Sequence, residues 1–505
     1  MKNTKKNSVL KKPDDQNNSE TLKEPVNHGP KDDGQSPEPS TGRPSVDEKD
    51  NDLQEELTNK RAKKEVMRIA WPVLLELFLS SLFGMVDMIM LGNIRPISLS
   101  AASIASVGIT NQPLFIALSL VQSFNVGGTA IIARYYGMGR MKKMGNVLKH
   151  ILILSVTFII IPLFLLSMFQ AENIMRLLGA GEDVVAIGSG YYRVIHIGLI
   201  FQGINMSFAA ALRGVGETKV PMKINLFANG MNVIGNAVLI YGLFGFPALG
   251  VLGAGISTAL SQVIAAALLV SYVLRGKSTI SLKGKFSFEK TTIRNLINIG
   301  LPASFEQLAL RAGIFVFVRI VASLGTVVYA AHQIALSILG LSFNPGQAFG
   351  ISASTLVGRS LGEGSSQKAE IYARNARRIG SIISSFIAVL FFVFAPQIVG
   401  LYTPDQQIID SASSALRIIA LVQPFQSSQL ILAGALRGAG DTLWPLIATI
   451  IGVIGIRISM ATLLVTYLNM GLDGAWYAVL VDQLVRWYMI HRRFNSGKWK
   501  MVKIH

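Results

Sequence analysis

The sequence predicts an all-α integral membrane protein, with twelve transmembrane helices in two six-helix bundles related by a pseudo-twofold axis along the membrane normal. Three observations carry this reading. Half of the 505 residues are hydrophobic and only 15% are charged, against roughly 25% in a soluble domain. The apolar residues gather in runs long enough to cross about 30 Å of hydrocarbon as helices. The segment Ala211-Leu212-Arg213-Gly214-Val215-Gly216-Glu217-Thr218 also returns as Ala435-Leu436-Arg437-Gly438-Ala439-Gly440-Asp441-Thr442.

Residues 1–62 stand apart from these runs. They are rich in Lys, Asp, Glu, Asn, Ser and Pro and bury too little apolar surface to offset the entropy of ordering. They read as a disordered, hydrophilic cytoplasmic tail. The tail lacks the short apolar core of a cleavable signal peptide, so the first span is expected to direct insertion. Apolar runs then follow at 66–92, 101–133, 146–170, 187–211, 219–242 and 249–274, making a first lobe over 63–275. The first run closes at Gly92, the second at Arg134-x2-Gly137-x-Gly139, and the third opens after Lys142 and Lys143. The fourth ends on the repeated Ala-Leu-Arg-Gly, the fifth begins around Pro221, and the sixth ends at Arg275. A cytoplasmic linker over 276–291 leads to a second lobe over 292–495, with runs at 292–322, 328–358, 375–400, 409–434, 443–468 and 472–492. Residues 496–505 form a basic cytoplasmic C-terminus. Run length and the absence of period-two alternation select helices over strands.

The charges sort by loop. Lys60, Arg61, Lys63 and Lys64 precede span 1, and Arg140, Lys142 and Lys143 follow span 2. Arg374, Arg377 and Arg378 follow span 8, and Arg492, Arg493, Lys498 and Lys500 follow span 12. The alternate loops are short or carry acids such as Glu182, Asp183, Asp405 and Asp473. The positive-inside rule then places both termini in the cytoplasm of a multi-pass plasma-membrane protein. This distribution also removes the nucleic-acid reading that a net charge of +18 invites, since no basic, aromatic-flanked domain is present. With no cysteine there is no disulfide and no thiolate metal site.

The repeat reaches well beyond its strongest segment. Ile69-x-x-Pro72-x3-Glu76 in span 1 returns as Ile299-x-x-Pro302-x3-Glu306 in span 7. Ala101-Ala102 returns as Ala330-Ala331, and Arg134-x2-Gly137-x-Gly139 as Arg359-x2-Gly362-x-Gly364. Arg193 and Gln202 return as Arg417 and Gln426. Six helices therefore repeat six helices in the same orientation, with a cavity expected between the lobes. The Arg-Gly-x-Gly segments read as tight cytoplasmic corners, their arginines reaching lipid phosphates or helix C-terminal carbonyls. Pro72 and Pro302 fall near the expected span starts, where proline is harmless.

These residues resemble the multidrug and toxic compound extrusion (MATE) family, in its NorM-like branch. The Ala-Leu-Arg-Gly-x-Gly-[Glu/Asp]-Thr pair, Val86-Asp87-x4-Gly92, Ala330-Ala331-His332-Gln333-Ile334 and Gly474-Ala475-Trp476 carry the resemblance in order from about residue 66 to residue 500. It implies two six-helix bundles in a V shape. It also implies export of organic, cationic amphipathic compounds in exchange for H⁺ or Na⁺, with no other cofactor. The expected partners are small organic molecules and the lipid bilayer, with the protein acting as a monomer and binding no nucleic acid.

An ionisable group at bilayer depth is costly and therefore a functional candidate. Asp87 is the strongest, because a carboxyl group taken out of water binds its proton more tightly. Asn229, Asn232 and Asn236 follow on one face of span 5. By the resemblance Asn232, Asn236 and Thr258 match an amino-terminal cation site, while interhelical packing accounts for the asparagines equally well. One branch of the family has an aspartate where Asn236 stands, so a highly charged Na⁺ site is not expected here. Glu306 is the second-lobe candidate, with Gln426 where NorM-like members carry an aspartate. A lone glutamate with a glutamine makes a weak site for a hard cation, so protons are favoured over Na⁺, although Na⁺ at Asp87 or Glu306 remains an alternative. Arg311 and Arg319 stand near Glu306 as salt-bridge partners. Gln202 and Asn205, with Gln426 and Gln429, are expected to line the substrate cavity. Met85, Met88 and Met90 read as lipid-facing or core residues, and His196 and His332 as packing residues.

A flippase for lipid-linked saccharides is the alternative. It would show a more cationic cavity and often extra helices. An enzyme is disfavoured, since no His-Glu-x-x-His or paired membrane aspartates occur, and the lack of a Walker motif argues against ATP as the energy source.

Overall fold

The computed structural model describes residues 46–94, 97–502 and 504. Residues 1–45 of the segment read as a tail lie outside the described residues, and from Val46 the chain is already helical. The apolar helices all lie within the compact unit Glu55–His505. In chain order the long helices are α1 Val46–Gly92, α2 Ile97–Gly137, α3 Met141–Leu177, α4 Glu182–Gly214, α5 Lys219–Tyr241 and α6 Gly250–Leu274. There follow α7 Lys290–Ala322, α8 Thr326–Gly362, α9 Ser366–Val393, α10 Gln406–Ala439, α11 Leu443–Tyr467 and α12 Gly471–Asn495. Ten of them are long and apolar enough to cross a membrane. The other two, α7 and α12, match their neighbours in length but carry several charged side chains, among them Glu306, Arg311, Asp482 and Arg486. No strand occurs among the described residues.

The helices overrun the apolar runs at both ends, because hydropathy marks only the hydrocarbon layer while the helical backbone continues into polar surroundings. Their ends follow local chemistry. Asp405 accepts hydrogen bonds from the N–H groups of Gln407 and Ile408 at the start of α10, and Ser365 caps α9 through Lys368, satisfying donors that the first turn leaves free. Both repeated corners need their second glycine, since Gly216 and Gly440 sit at φ +84° and +91°, a region costly for side chains with a Cβ. In α3 a wide π-turn, Val156–Ile160, precedes Pro162, and α11 holds two more at Ile450–Arg457 and Leu463–Tyr467.

α2 to α6 pack mainly on one another, and α8 to α12 likewise. The first helix of each set crosses over. At one end of α1, Val66, Ile69 and Ala70 are buried in a core built otherwise from α8, α9, α10, α11, α12 and the C-terminal segment. At the matching end of α7, Leu296 and Ile299 are buried among α2, α3, α4 and α6. Beyond the crossing each helix returns to its own set, Leu91 of α1 packing with Val107, Leu199 and Ile240, and Phe317 and Val321 of α7 with Ala331, Leu416 and Trp476. Ile69 and Ile299 are repeat mates, so the exchange is symmetric. Pro72 and Pro302 stand where the two helices change partners. Both prolines are interior to their helices rather than near the starts, because both helices begin well before the apolar run. Each therefore removes a main-chain hydrogen bond and weakens its helix locally.

The lobes also meet at this end through α2 and α8. A Cβ on Gly137 would stand 2.0 Å from the Arg359 carbonyl oxygen, and one on Gly362 would stand 2.2 Å from that of Arg134. The repeated Arg-x2-Gly motifs thus pack reciprocally, each glycine against the other arginine's backbone. Thr355 donates to the Arg213 carbonyl at 2.9 Å, and Arg134 donates to the Val502 carbonyl at 3.1 Å. Trp499, fully buried, anchors the C-terminal segment that was read simply as basic.

A Cβ at Gly358 would lie 3.0 Å from that of Ala133, within reach of a disulfide after a slight shift. In this naturally cysteine-free chain, the double variant Ala133→Cys/Gly358→Cys is expected to cross-link on mild oxidation. Adding Gly362→Ala should lower the yield several-fold, since overpacking costs about 1–3 kcal/mol. Gel mobility after oxidation checks both, and an unchanged yield would show that the crossing tolerates the methyl group.

Candidate functional sites

α1 and α5 run side by side in register, joined by three hydrogen bonds at one constant sequence separation. Asn225 donates to Glu76 at 2.6 Å, Asn229 to the Ser80 hydroxyl at 3.2 Å, and Asn236 to Asp87 Oδ1 at 2.8 Å. The asparagine row therefore divides. Asn225 and Asn229 act as interhelical packing, whereas Asn236 and Asn232 converge on the carboxylate. With its amide oriented so that donors face acceptors, Asn232 donates to both Asp87 oxygens at 3.2 and 3.3 Å. Its Oδ1 then accepts from the hydroxyls of Ser257 and Thr258, each at 3.2 Å, and from the Thr258 N–H at 3.1 Å. Asp87, Asn232, Asn236 and Thr258, singled out from the sequence, thus form one cluster.

The cluster faces a cavity of about 250 Å³ lined by Asp87, Asn111, Tyr191, Gln202, Thr258 and Gln262, among others. Asn236 is 1% exposed and its Oδ1 has no partner among the described residues. An asparagine amide offers a donor and an acceptor on one pivot, so this group can face either an ionised or a protonated Asp87. Met88 lines the same cavity, while Met85 is exposed and Met90 packs against the surrounding apolar cluster.

Glu76 and Glu306 are placed differently from Asp87. Arg213 donates to Glu76 at 2.8 Å and Arg437 to Glu306 at 2.6 Å. These are repeat mates on both sides. Each arginine of the Ala-Leu-Arg-Gly motif reaches across to the glutamate that follows the helix proline, instead of turning to lipid or to helix ends. Glu306 takes its partner from α10, not from Arg311 or Arg319 on its own helix. Its carboxylate is 4% exposed and engaged.

A larger cavity, about 520 Å³, lies against α7, α8, α10, α11 and α12, with α2 and α4 completing the wall. Gln426 and Gln429 line it. Gln202 lines the Asp87 cavity instead, and Asn205 donates to Asn225 and Gln262 at 3.1 and 3.4 Å. The four residues expected to line one cavity are thus split. Five arginines stand in the large cavity's wall: Arg213, Arg311, Arg437, Arg457 and Arg486.

Arg457 and Arg486 belong to a cluster that the sequence reading passed over. Asp482 is fully buried, accepting from Arg457 Nε at 2.9 Å and from Arg486 Nε at 2.8 Å. Gly452, in the first π-turn of α11, makes room for it, since a Cβ there would lie 2.3 Å from Asp482 Oδ1. The signal was present, as three ionisable residues inside apolar runs. His196 stacks on Tyr192 at 4.3 Å, and His332 sits among Phe317, Tyr329 and Trp476, as packing residues do.

Two repeated helical lobes in a membrane, with a buried polar centre and a cavity, define a secondary transporter by architecture. The comparisons agree. A family model described as MatE matches residues 72–238 and 302–463. The probable multidrug resistance protein NorM of Thermotoga maritima is 29% identical over 438 residues, covering 87% of this chain and 93% of its own. The multidrug resistance protein MdtK of Edwardsiella ictaluri is 30% identical over 395 residues, covering 76% and 83%. The solved structure titled "Outward-facing conformation of a multidrug resistance MATE family transporter of the MOP superfamily" superposes with a TM-score of 0.79 at 24% identity, covering 86% of this chain and 97% of its own, which establishes the shared fold. The chain belongs to the MatE family of membrane transporters.

Removing one partner of a buried ion pair leaves the other uncompensated, at a cost of about 3–5 kcal/mol. Glu306→Gln alone is therefore expected to lower unfolding stability by about 3 kcal/mol, while Glu306→Gln/Arg437→Met should recover much of the loss. Denaturation of the purified protein followed by tryptophan fluorescence measures this. Equal losses in the single and double variants would show that the pair is not coupled.

Proposed function

We propose that this protein is a cation-coupled antiporter that exports amphipathic organic compounds, with Asp87 as the site that takes up and releases the coupling proton. The observation that carries the reading is the Asp87 cluster: a carboxylate at membrane depth, open to a cavity and held by two asparagines. Protons are favoured over Na⁺. Asp87 is the only acid in the cluster, the Asn232 oxygen is turned towards Ser257 and Thr258, and a hard cation needs more oxygen ligands than this arrangement directs inward. Proton exchange needs only a carboxylate and a partner that tolerates both of its states. The names of the relatives, multidrug resistance proteins, support an exporter of organic molecules and not an enzyme. The loop charges support a plasma-membrane protein with both termini in the cytoplasm, and a monomer is proposed as the working unit.

The family resemblance implies cationic substrates. The wall of the large cavity offers no carboxylate among the described residues to hold one, so the class proposed is amphipathic organic compounds with no positive charge required. The same arginines meet the condition set for a lipid-saccharide flippase, a more cationic cavity. The helix set, without additional spans among the described residues, keeps that reading second.

Proteoliposomes loaded with a panel of fluorescent amphipaths, ethidium among them, test the proposal. An imposed pH gradient is expected to drive export, and Asp87→Asn should reduce it by about 100-fold or more, since a positioned proton-transfer group typically contributes about 100- to 10,000-fold. An Na⁺ gradient should not substitute. Na⁺-driven export that survives Asp87→Asn would move the coupling site to Glu306.

A further inference from the structure

From the charge balance of the large cavity we infer that it is built to hold an organic anion, a carboxylate, sulfonate or phosphate carried on an apolar body. This rests on reading the chain as an exporter and names the class of compound that its cavity would take.

Five guanidinium groups line the cavity, and no carboxylate does so among the described residues. Three acids stand behind the wall. Glu76 neutralises Arg213, Glu306 neutralises Arg437, and Asp482 is shared between Arg457 and Arg486. Two positive charges are therefore left over. One belongs to the Arg457–Asp482–Arg486 triad. The other is Arg311, which makes no ion pair among the described residues, is exposed, and stacks its guanidinium 5.3 Å from the Phe115 ring centroid. Both excess charges border a space whose apolar wall is made by Phe317, Phe343, Trp476 and aliphatic side chains. Unpaired charge at membrane depth is expensive, and it persists where a counter-charge arrives.

Six glutamines, Gln122, Gln307, Gln347, Gln426, Gln429 and Gln483, stand between the arginines. Their amides can donate to oxyanions, and arginine's planar fork matches a carboxylate or phosphate with two parallel bonds. The aromatic groups give the apolar body its contact.

The repeat strengthens the assignment. At the spacing by which Asp87 follows Glu76, the residue that follows Glu306 is Phe317. Arg457 lies over that ring, 5.7 Å from its centroid. Where the first lobe carries its acid, the second carries an aromatic face with a guanidinium upon it.

The test is binding to the purified full chain in detergent, read by fluorescence anisotropy with fluorescein, an aromatic anion, and ethidium, a cation of similar size. Wild type is expected to bind fluorescein at least ten-fold more tightly than ethidium. Arg311→Gln should weaken fluorescein at least ten-fold, and Arg311→Lys should keep most of the affinity. Ethidium binding as tightly as fluorescein overturns the inference, and so does fluorescein binding that ignores Arg311→Gln. The wild-type comparison stands alone if a variant fails to fold. Added phosphatidylglycerol separates two sources of the same chemistry, since displacement of fluorescein assigns the site to lipid headgroups and no displacement assigns it to free organic anions. Fluorescein binding without gradient-driven export would leave this inference standing and remove the antiporter reading. Proton-driven ethidium export without fluorescein binding would do the reverse.

Discussion

The pairs Glu76–Arg213 and Glu306–Arg437 fix the geometry on which both cavities rest. Each ties a proline-containing helix, α1 or α7, to the helix that ends in Ala-Leu-Arg-Gly, just past the point where the proline-containing helix leaves the opposite lobe's core. Without the pair, the crossing helix would carry an isolated charge into apolar surroundings, and the helix it meets would carry another. Together the two charges compensate, and Asn225 adds a further donor to Glu76. The register of α1 against α5, and so the position of Asp87 against Asn236, follows from where Glu76 is held.

The two halves share a scaffold but not a chemistry. Equivalent glutamates, arginines, prolines and glycines do equivalent structural work. Gln202 and Gln426 are equivalent by sequence, yet one faces the small acidic cavity and the other the large arginine-lined one. The asparagine, serine and threonine of α5 and α6 give way to the arginine and aspartate of α11 and α12. Duplication kept the load-carrying contacts, and the interior faces of the later helices diverged. The proposed exchange of a proton for an organic molecule, two unlike species, would have use for such unequal halves.

Much of this was legible in the sequence, for identifiable reasons. Run length and loop charge reveal the helices because the bilayer imposes its own length scale. The repeat reveals the paired lobes because the two copies still share their turn and crossing residues. Asp87 was visible because an ionisable group inside an apolar run is costly, whereas its asparagines were legible only as polar groups on one helix face, with site and packing equally open. The exchange of α1 and α7 between lobes was not visible, since apolar residues such as Ile69 and Ile299 do not name their neighbours. The partner of Glu306 was misread for a related reason: Arg311 and Arg319 are near in sequence, whereas Arg437 is near in space. The Arg457–Asp482–Arg486 cluster was missed because its members sit on two helices, α11 and α12, and only their contact in space joins them.

The arginine-lined cavity also bears on energetics. Exchanging an inbound proton for an outbound monovalent cation moves no net charge across the membrane. Exchanging it for an outbound monovalent anion moves the equivalent of two positive charges inward, each worth about 2.3 kcal/mol per 100 mV. The side chains around the substrate would then decide which component of the proton-motive force does the work. Were the proposed anion exchanged for a proton, the cycle would be electrogenic and answerable to the membrane potential, even where the two sides of the membrane share one pH.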